Sequence, residues 1–520
     1  MKLGTQDVTA YLGDKLVAAQ YLGATPIAGG GARPALPDTR PVFLVFGNSL
    51  AAQANTALES GTTSTVPQTP AGASSLQVSS SSTFVPGSKA AVALYTGEIW
   101  EAVVSAVPDS TTLQFTTPLP KMVRALSFVQ RYTTNKPTNI RQRGGGVAAA
   151  LNQIGMPVNL IQGYGWGGGL GADMMGDLAV WLARTRPAYV YLHLFENDIV
   201  AGASLEALQA LARTAAQLCV NAGAKPIMAT PVPSTSYSAG AMVTIVDGIR
   251  DYVMNFMPGL FPTLVPVNVS DAWVDPAFPT LRRPLPSVVT DNIHPIPEKY
   301  DYVGSVIAPQ IVAALPAAPS LAALGALAIN SNPLMDTTTG GSIGGAGAGG
   351  FTGAVPAGYL VNADAGVSGT LSRSGGGFFR AEIAVAGASN ITTTRLRLMR
   401  SASISIPAEL IGQPLRFVAD TKINGLTNFS LFYAEITFNT GEIYAARQDS
   451  GSAFDATLVG KTIHFETPAL AVPGATSVTL ALYERPLTLG SPSGVAADVE
   501  FRLFALIPGG NPVPGLVLAA

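Results

Sequence analysis

An apolar run that stops on Gly-Asn-Ser limits what this chain can become more than any other feature. Pro41 to Phe46 reads PVFLVF, and Gly47-Asn48-Ser49-Leu50 follows at once. A run with no polar residue describes a strand buried on both faces, and such strands belong to parallel sheets covered by helices. The same pattern returns at 158–161, 188–195 (AYVYLHLF), 226–230 and 264–269. Between these strands, residues 147–154, 172–184, 241–256 and 298–315 read as helices. Another starts at Ser204, a natural N-cap, carries Leu205, Leu208, Leu211, Ala215 and Leu218 on one face, and closes at Gly223. Strand-helix alternation of this kind predicts an α/β fold: three layers, α/β/α, around a parallel sheet.

At 520 residues the chain exceeds one ordinary core. Residues 1–33 form a separate segment in which Tyr11-Leu12-Gly13 recurs as Tyr21-Leu22-Gly23, suggesting two short strands. A Gly- and Pro-rich linker at 28–37 leads into the α/β part, assigned to 38–316. Within it, residues 89–95 and 98–107 flank Thr96-Gly97, a hairpin signal, and 112–116 adds a strand. Residues 72–122 therefore read as a small β module inserted after Ser49, at the rim of the site. After Pro316 a glycine-rich run at 340–353 gives way to short alternating segments separated by turns. Residues 333–520 read as a C-terminal β-sandwich, for sugar binding or trimerisation.

Composition excludes several classes of function. Hydrophobic residues make up 48% and charged residues 12%, with a formal net charge of -2 and no basic block. Nucleic acid is an unexpected partner, because phosphate binding needs clustered Lys and Arg. No apolar run reaches membrane-spanning length without a break, and the first residues lack the pattern of a signal peptide. The single cysteine, Cys219, fits a buried helical position. No His/Cys/Asp spacing suggests a metal site, and no cofactor is implied.

Chemistry concentrates at the predicted carboxyl ends of the strands, where open α/β sheets bind ligands. Ser49 follows the first strand; Gly163 to Gly169 is glycine-rich; Glu196-Asn197-Asp198 ends AYVYLHLF; Asp291-Asn292-Ile293-His294 precedes the last helix. A serine hydroxyl is a weak nucleophile until a base takes its proton. Of the three histidines, His193 lies in an apolar strand and His464 in the β region, as a structural or exposed residue. That leaves His294, with Asp291 to orient it. The oxyanion of an acyl-transfer intermediate needs fixed donors. Candidates are the Ser49 N–H, a glycine N–H (Gly168, or Gly167) and the Asn197 amide. Trp166 fits a sugar platform or loop packing equally well. Gly163, Gly165 and Gly168 also satisfy Gly-x-Gly-x-x-Gly, but no acid stands at the spacing a dinucleotide site needs. Asp173 and Asp177 fit a helix start.

These blocks, in this order, resemble the SGNH (GDSL-type) hydrolases. Gly47 to Leu50 is similar to the Gly-Asp-Ser-Leu block, the glycine loop to the second block, Glu196 to Asp198 to Gly-x-Asn-Asp, and Asp291 to His294 to Asp-x-x-His. Two departures stand out. Asn48 replaces an aspartate that is not the nucleophile, and Phe195 replaces a glycine, which implies a narrower pocket or an altered loop. The resemblance implies serine-dependent hydrolysis of esters, often acetyl groups on carbohydrate. The paired Tyr-Leu-Gly segment, the inserted hairpin module and the glycine-rich opening at 332–353 resemble parts of bacteriophage tail fibres and spikes. That second resemblance implies a homotrimer on the virion, joined to a tail or baseplate protein through the N-terminus, acting on an acetylated bacterial surface polysaccharide. A non-catalytic adhesin that keeps the esterase fold is the alternative. A glycosidase would need paired carboxylates facing a groove, and Glu196 and Asp198 belong to a block with another role.

Overall fold

A computed structural model of the chain describes residues 10–12, 15–17 and most of 40–509; the longer intervals outside the described residues are 18–39, 133–138, 345–349, 386–395, 450–458 and 487–494. Ser49 is placed by its backbone. Gly167, the Thr96-Gly97 turn and the second Tyr-Leu-Gly lie outside the described residues. The first Tyr-Leu-Gly contributes to a strand, Ala10–Leu12, paired antiparallel with Lys15–Val17.

Five strands form a wholly parallel sheet: β1 (Val42–Asn48), β2 (Asn159–Trp166), β3 (Tyr189–His193), β4 (Lys225–Ala229) and β5 (Val265–Val267). Their order is β2-β1-β3-β4-β5. The helices include α1 (Ser49–Ala52), α2 (Gly145–Gln153), α3 (Gly171–Thr185), α4 (Glu196–Val200), α5 (Leu205–Asn221), α6 (Gly240–Asp251) and α7 (Tyr300–Ile311). The pleat explains why the strands are apolar throughout. Leu44, Phe46, Val190 and Leu192 face one core with Met174, Leu178, Leu208 and Val246. Phe43, Val45 and Tyr191 face the other with Ala150, Leu151, Val303 and Ile307. Each large side chain fully buried this way contributes about 1.5–3 kcal/mol before entropy is counted. Cys219 is wholly buried in the first core, and burial pushes its thiol up to about 12. Helices α2 and α7 cross at Gly304, where a Cβ would lie 2.7 Å from the Ala150 nitrogen.

The glycine-rich stretch is shorter as a loop than its composition suggests. β2 runs on to Trp166: Gln162 and Tyr164 pair with consecutive residues of β1, which leaves Gly163 as the unpaired extra residue of the strand, and Gly165 pairs with Gly47. A bulge absorbs the extra residue and lets the ladder resume.

The inserted module is a six-stranded antiparallel sheet with its own core around Val92, Val104, Leu113 and Val129. Its outermost elements in sequence are Gly61–Thr63 and Phe128–Tyr132, which pair with each other, so the sheet extends beyond 72–122 on both sides. Gly-Thr-Thr is too short and polar to announce a strand. The module is anchored on α3. Arg124 pairs with Asp177 at 2.8 Å, both nearly buried, and the Trp181 indole donates to the Tyr95 carbonyl at 3.2 Å. Asp177 therefore holds the insertion in place and is not a helix-start residue.

Residues after Ser342 build two facing sheets over one core, in which Phe379, Phe417 and Phe501 meet Ile436, Leu480 and Leu482. Their strands include β6 (Pro414–Thr427), β7 (Ile443–Asp449) and β8 (Thr462–Glu466). The sandwich does not stop at the C-terminal region. Asn139–Arg143 pairs parallel with β7, and Asn55–Ala57 pairs antiparallel with Asn139–Arg143. Both legs of the insertion thus extend a sheet that belongs to the far end of the sequence. A second tie is ionic. Arg40, just before β1, forks onto Glu466 of β8 at 2.5 and 2.9 Å and also donates to the Met156 carbonyl.

Candidate active site

Strand order sets the location. The connection leaving β1 runs to β2, the one leaving its other neighbour β3 runs the opposite way to β4, and the crevice at such a switch point takes ligands in open α/β sheets. Ser49 is the first residue of α1, directly at the carboxyl end of β1. Gly47 lets this turn sit against β3, because a Cβ there would collide with the His193 carbonyl.

The loop before α7 supplies a histidine-carboxylate pair. His294 Nδ1 lies 2.6 Å from Asp291 Oδ2. The other oxygen, Oδ1, accepts from the backbone N–H groups of Ile293 at 2.8 Å and His294 at 2.6 Å. Burial works against the Asp291 charge, but these N–H donors and His294 hold its carboxyl below the usual range. An ionised carboxylate only accepts hydrogen bonds, so Nδ1 carries the proton and Nε2 is left as the basic nitrogen. The pair is wet, with His294 30% and Asp291 54% exposed, which suits a base that must exchange protons. The loop is itself fastened: Ser234 Oγ and Thr235 N donate to the Asn292 carbonyl at 3.0 Å each.

Asn197 stands in the first turn of α4, beyond β3. Its Nδ2 donates to the Gly169 carbonyl at 2.9 Å, and an amide nitrogen carries a second N–H. Gly168 adopts a left-handed φ of 72°, which favours glycine. The structure thus brings Asn197 onto the same loop, between β2 and α3, as Gly168. Asp198 ties α4 to the start of α3 by accepting from Gly171 N at 2.8 Å. Burial raises its carboxyl to about 6.

Phe195 is wholly buried in the core below α4 and does not narrow a pocket. His193 is satisfied: its Nε2 lies 2.7 Å from Glu196 Oε1. His464 is buried beside Asp420 and Glu466, far from this loop cluster in the fold. Among the described residues, no group of three His, Cys, Asp or Glu could hold a metal ion, and no helix is long and apolar enough to cross a membrane.

Sequence reasoning missed one residue. Glu196 is 2% exposed and takes three hydrogen bonds: from His193, from Val232 N at 3.0 Å and from Asn48 Nδ2 at 2.6 Å. The available signal was an acid at the end of an apolar strand in a chain poor in charge.

No family model matches the chain, and no curated protein matches it either. Among solved structures it is similar to a lipolytic protein of the G-D-S-L family from Desulfitobacterium hafniense, 13% identical, covering 32% of this chain and 86% of that one with a TM-score of 0.27. A family 3 carbohydrate esterase from Clostridium thermocellum is 15% identical, covering 33% and 86% with a TM-score of 0.27. An acetylxylan esterase from Geobacillus stearothermophilus is 14% identical, covering 34% and 83% with a TM-score of 0.26. Each likeness involves about a third of this chain and carries no argument by itself, so the chemistry rests on the residues.

Proposed function

We propose that this chain is a serine esterase with Ser49 as nucleophile, His294 as base, and Asp291 as the group that orients and charges His294. The observation that carries the reading is the 2.6 Å His294–Asp291 pair, held by two backbone N–H groups, together with a cavity that is lined by Leu50 and Pro295, the residues next to Ser49 and His294. His294 Nε2 takes the hydroxyl proton as Oγ attacks the ester carbonyl. The C=O electrons move onto oxygen, where the Ser49 N–H, the glycine loop and Asn197 supply donors. Collapse expels the alcohol, which takes the proton back from His294. Water then repeats the cycle and releases the carboxylic acid.

In its finer form, the substrate is an O-acetyl group on a bacterial surface polysaccharide, and the setting is a homotrimeric phage tail spike attached through its N-terminus. Support comes from the ordered sequence blocks, the phage-like repeat near Tyr11 and the large β region around the α/β layer. Aryl acetate hydrolysis tests the chemistry. Ser49→Ala is expected to lower turnover by at least about 10³-fold, and Asp291→Asn by about 10⁴-fold through the wrong histidine tautomer. Equal rates for wild type and Ser49→Ala, both folded, refute the mechanism. Absence of Ser49 labelling by a phosphonate leaves the adhesin reading. Acetate release from acetylated capsules and a solution mass test the finer form.

A further inference from the structure

Resting on the esterase reading, we infer that Glu196 is the positioning residue that sets the nucleophile turn, the oxyanion asparagine and the histidine loop against one another, and that Asn48 is the partner that makes a carboxylate tolerable there.

Glu196 reaches all three loops. Its Oε2 accepts from Asn48 Nδ2 at 2.6 Å, and Asn48 Oδ1 accepts from Leu50 N at 3.0 Å. Asn48 and Leu50 flank Ser49, so this double bond brackets the nucleophile. Glu196 is also the residue before Asn197, in the same turn of α4. Its Oε1 accepts from Val232 N, in the loop whose Ser234 and Thr235 hold Asn292 between Asp291 and His294. His193 Nε2 donates to the same oxygen.

Donor and acceptor logic makes the arrangement directional. Leu50 N fixes which end of the Asn48 amide is oxygen, so its nitrogen must face Glu196. Every group addressed to Glu196 is a donor, and only a carboxylate accepts from all of them. An aspartate at 48 would set two carboxyls in hydrogen-bond contact, and such a pair keeps its bond only while it shares a proton. The other titratable groups facing Glu196 are His193 and Tyr191 from β3, Tyr237 from the loop after β4 and Asp198 from its own helix. Burial, and then the Glu196 charge, push both tyrosines above their ordinary range, so they stay neutral and leave the network to Glu196, Asn48 and His193.

The test is a set of variants read by aryl acetate kinetics across pH. Glu196→Gln is expected to lower kcat about 10- to 100-fold with little change in KM, since small misplacements cost that much. Its amide nitrogen must meet either Asn48 Nδ2 or Val232 N. Asn48→Asp is expected to approach wild type at low pH and to lose kcat as pH rises and the shared proton leaves. Wild type has no proton shared at this position and is expected to show no such alkaline loss. The double variant Asn48→Asp/Glu196→Gln restores every donor-acceptor match with the roles exchanged, so it is expected to recover most of kcat and lose the alkaline decline. A double variant no better than Glu196→Gln, or an Asn48→Asp profile parallel to wild type, overturns the inference. If wild type shows no Ser49-dependent turnover, the esterase reading falls by itself. Amide hydrogen exchange at 47–52 and 195–199 then decides the positioning role: lost protection in Glu196→Gln that returns in the double variant supports it, and unchanged protection overturns it.

Discussion

Glu196 is buried and Glu466 nearly so, and they are held by opposite means. Glu466 lies among full charges: Arg40 at 2.5 Å, Arg416 at 2.9 Å and His464 at 3.4 Å. Glu196 lies among an amide, a backbone N–H and one histidine. Burial opposes ionisation at both, yet both carboxyls are held below the usual range, Glu466 by its arginines and Glu196 by His193 and Val232 N. The difference follows position. Glu466 joins two bodies that need not titrate, so strong cations serve it. Glu196 stands in the site's scaffold, where a guanidinium would also depress the basicity of a nearby histidine. Largely neutral donors fix geometry without that side effect.

The sharpest way to break this contrast is Glu466→Ala. Removing one partner of a buried ionic cluster leaves uncompensated charge and costs about 3–5 kcal/mol. Urea melts should show that loss, while aryl acetate turnover per folded molecule stays at the wild-type value. Parallel loss of turnover before unfolding would mean that the two glutamates do not act separately. Arg40→Ala is expected to be milder, about 1.5–3 kcal/mol for charged hydrogen bonds, because Arg416 still pairs Glu466. It should let the sandwich and the α/β layer melt as two transitions where wild type shows one.

The smallest effect is a pH dependence. Burial disfavours charge on His464, but the hydrogen bonds it donates to Asp420 and Glu466 outweigh this and raise its pKa. A raised histidine stabilises the fold fully below its unfolded value of about 6.5, and that contribution is lost as pH rises through the folded value. The lowered Glu466 does the opposite: its contribution is present above the unfolded value of about 4.3 and is lost as pH falls through the folded one. Melts over a pH series should therefore show a broad optimum between these limits, and His464→Gln should flatten its alkaline side only.

Sequence legibility followed locality. PVFLVF, AYVYLHLF and the helical spacing behind Ser204 report burial residue by residue, so the parallel sheet was readable from them. Asp291 and His294 were readable because three residues of chain bring them together. Asn48–Glu196 and Arg40–Glu466 were not, since each pairs residues that only the folded backbone makes neighbours. Gly163 and Gly165 misled because composition signals a loop where a bulged strand continues. Asp177 misled because helix position alone cannot show that Arg124 arrives from an inserted sheet.

The strands at 55–57 and 139–143 give the chain an unusual itinerary. The polypeptide leaves the α/β layer, borders the sandwich, forms the inserted module, borders the sandwich again and only then returns. Ile140 aligns with Tyr444, so on the ribosome this early edge must wait for almost the whole chain before its ladder can close. Such late, distant closure slows folding and leaves a strand edge open meanwhile. Cutting the chain after residue 316 would make that wait permanent: the α/β layer would keep its residues but carry an unpaired edge, ready to pair with another copy.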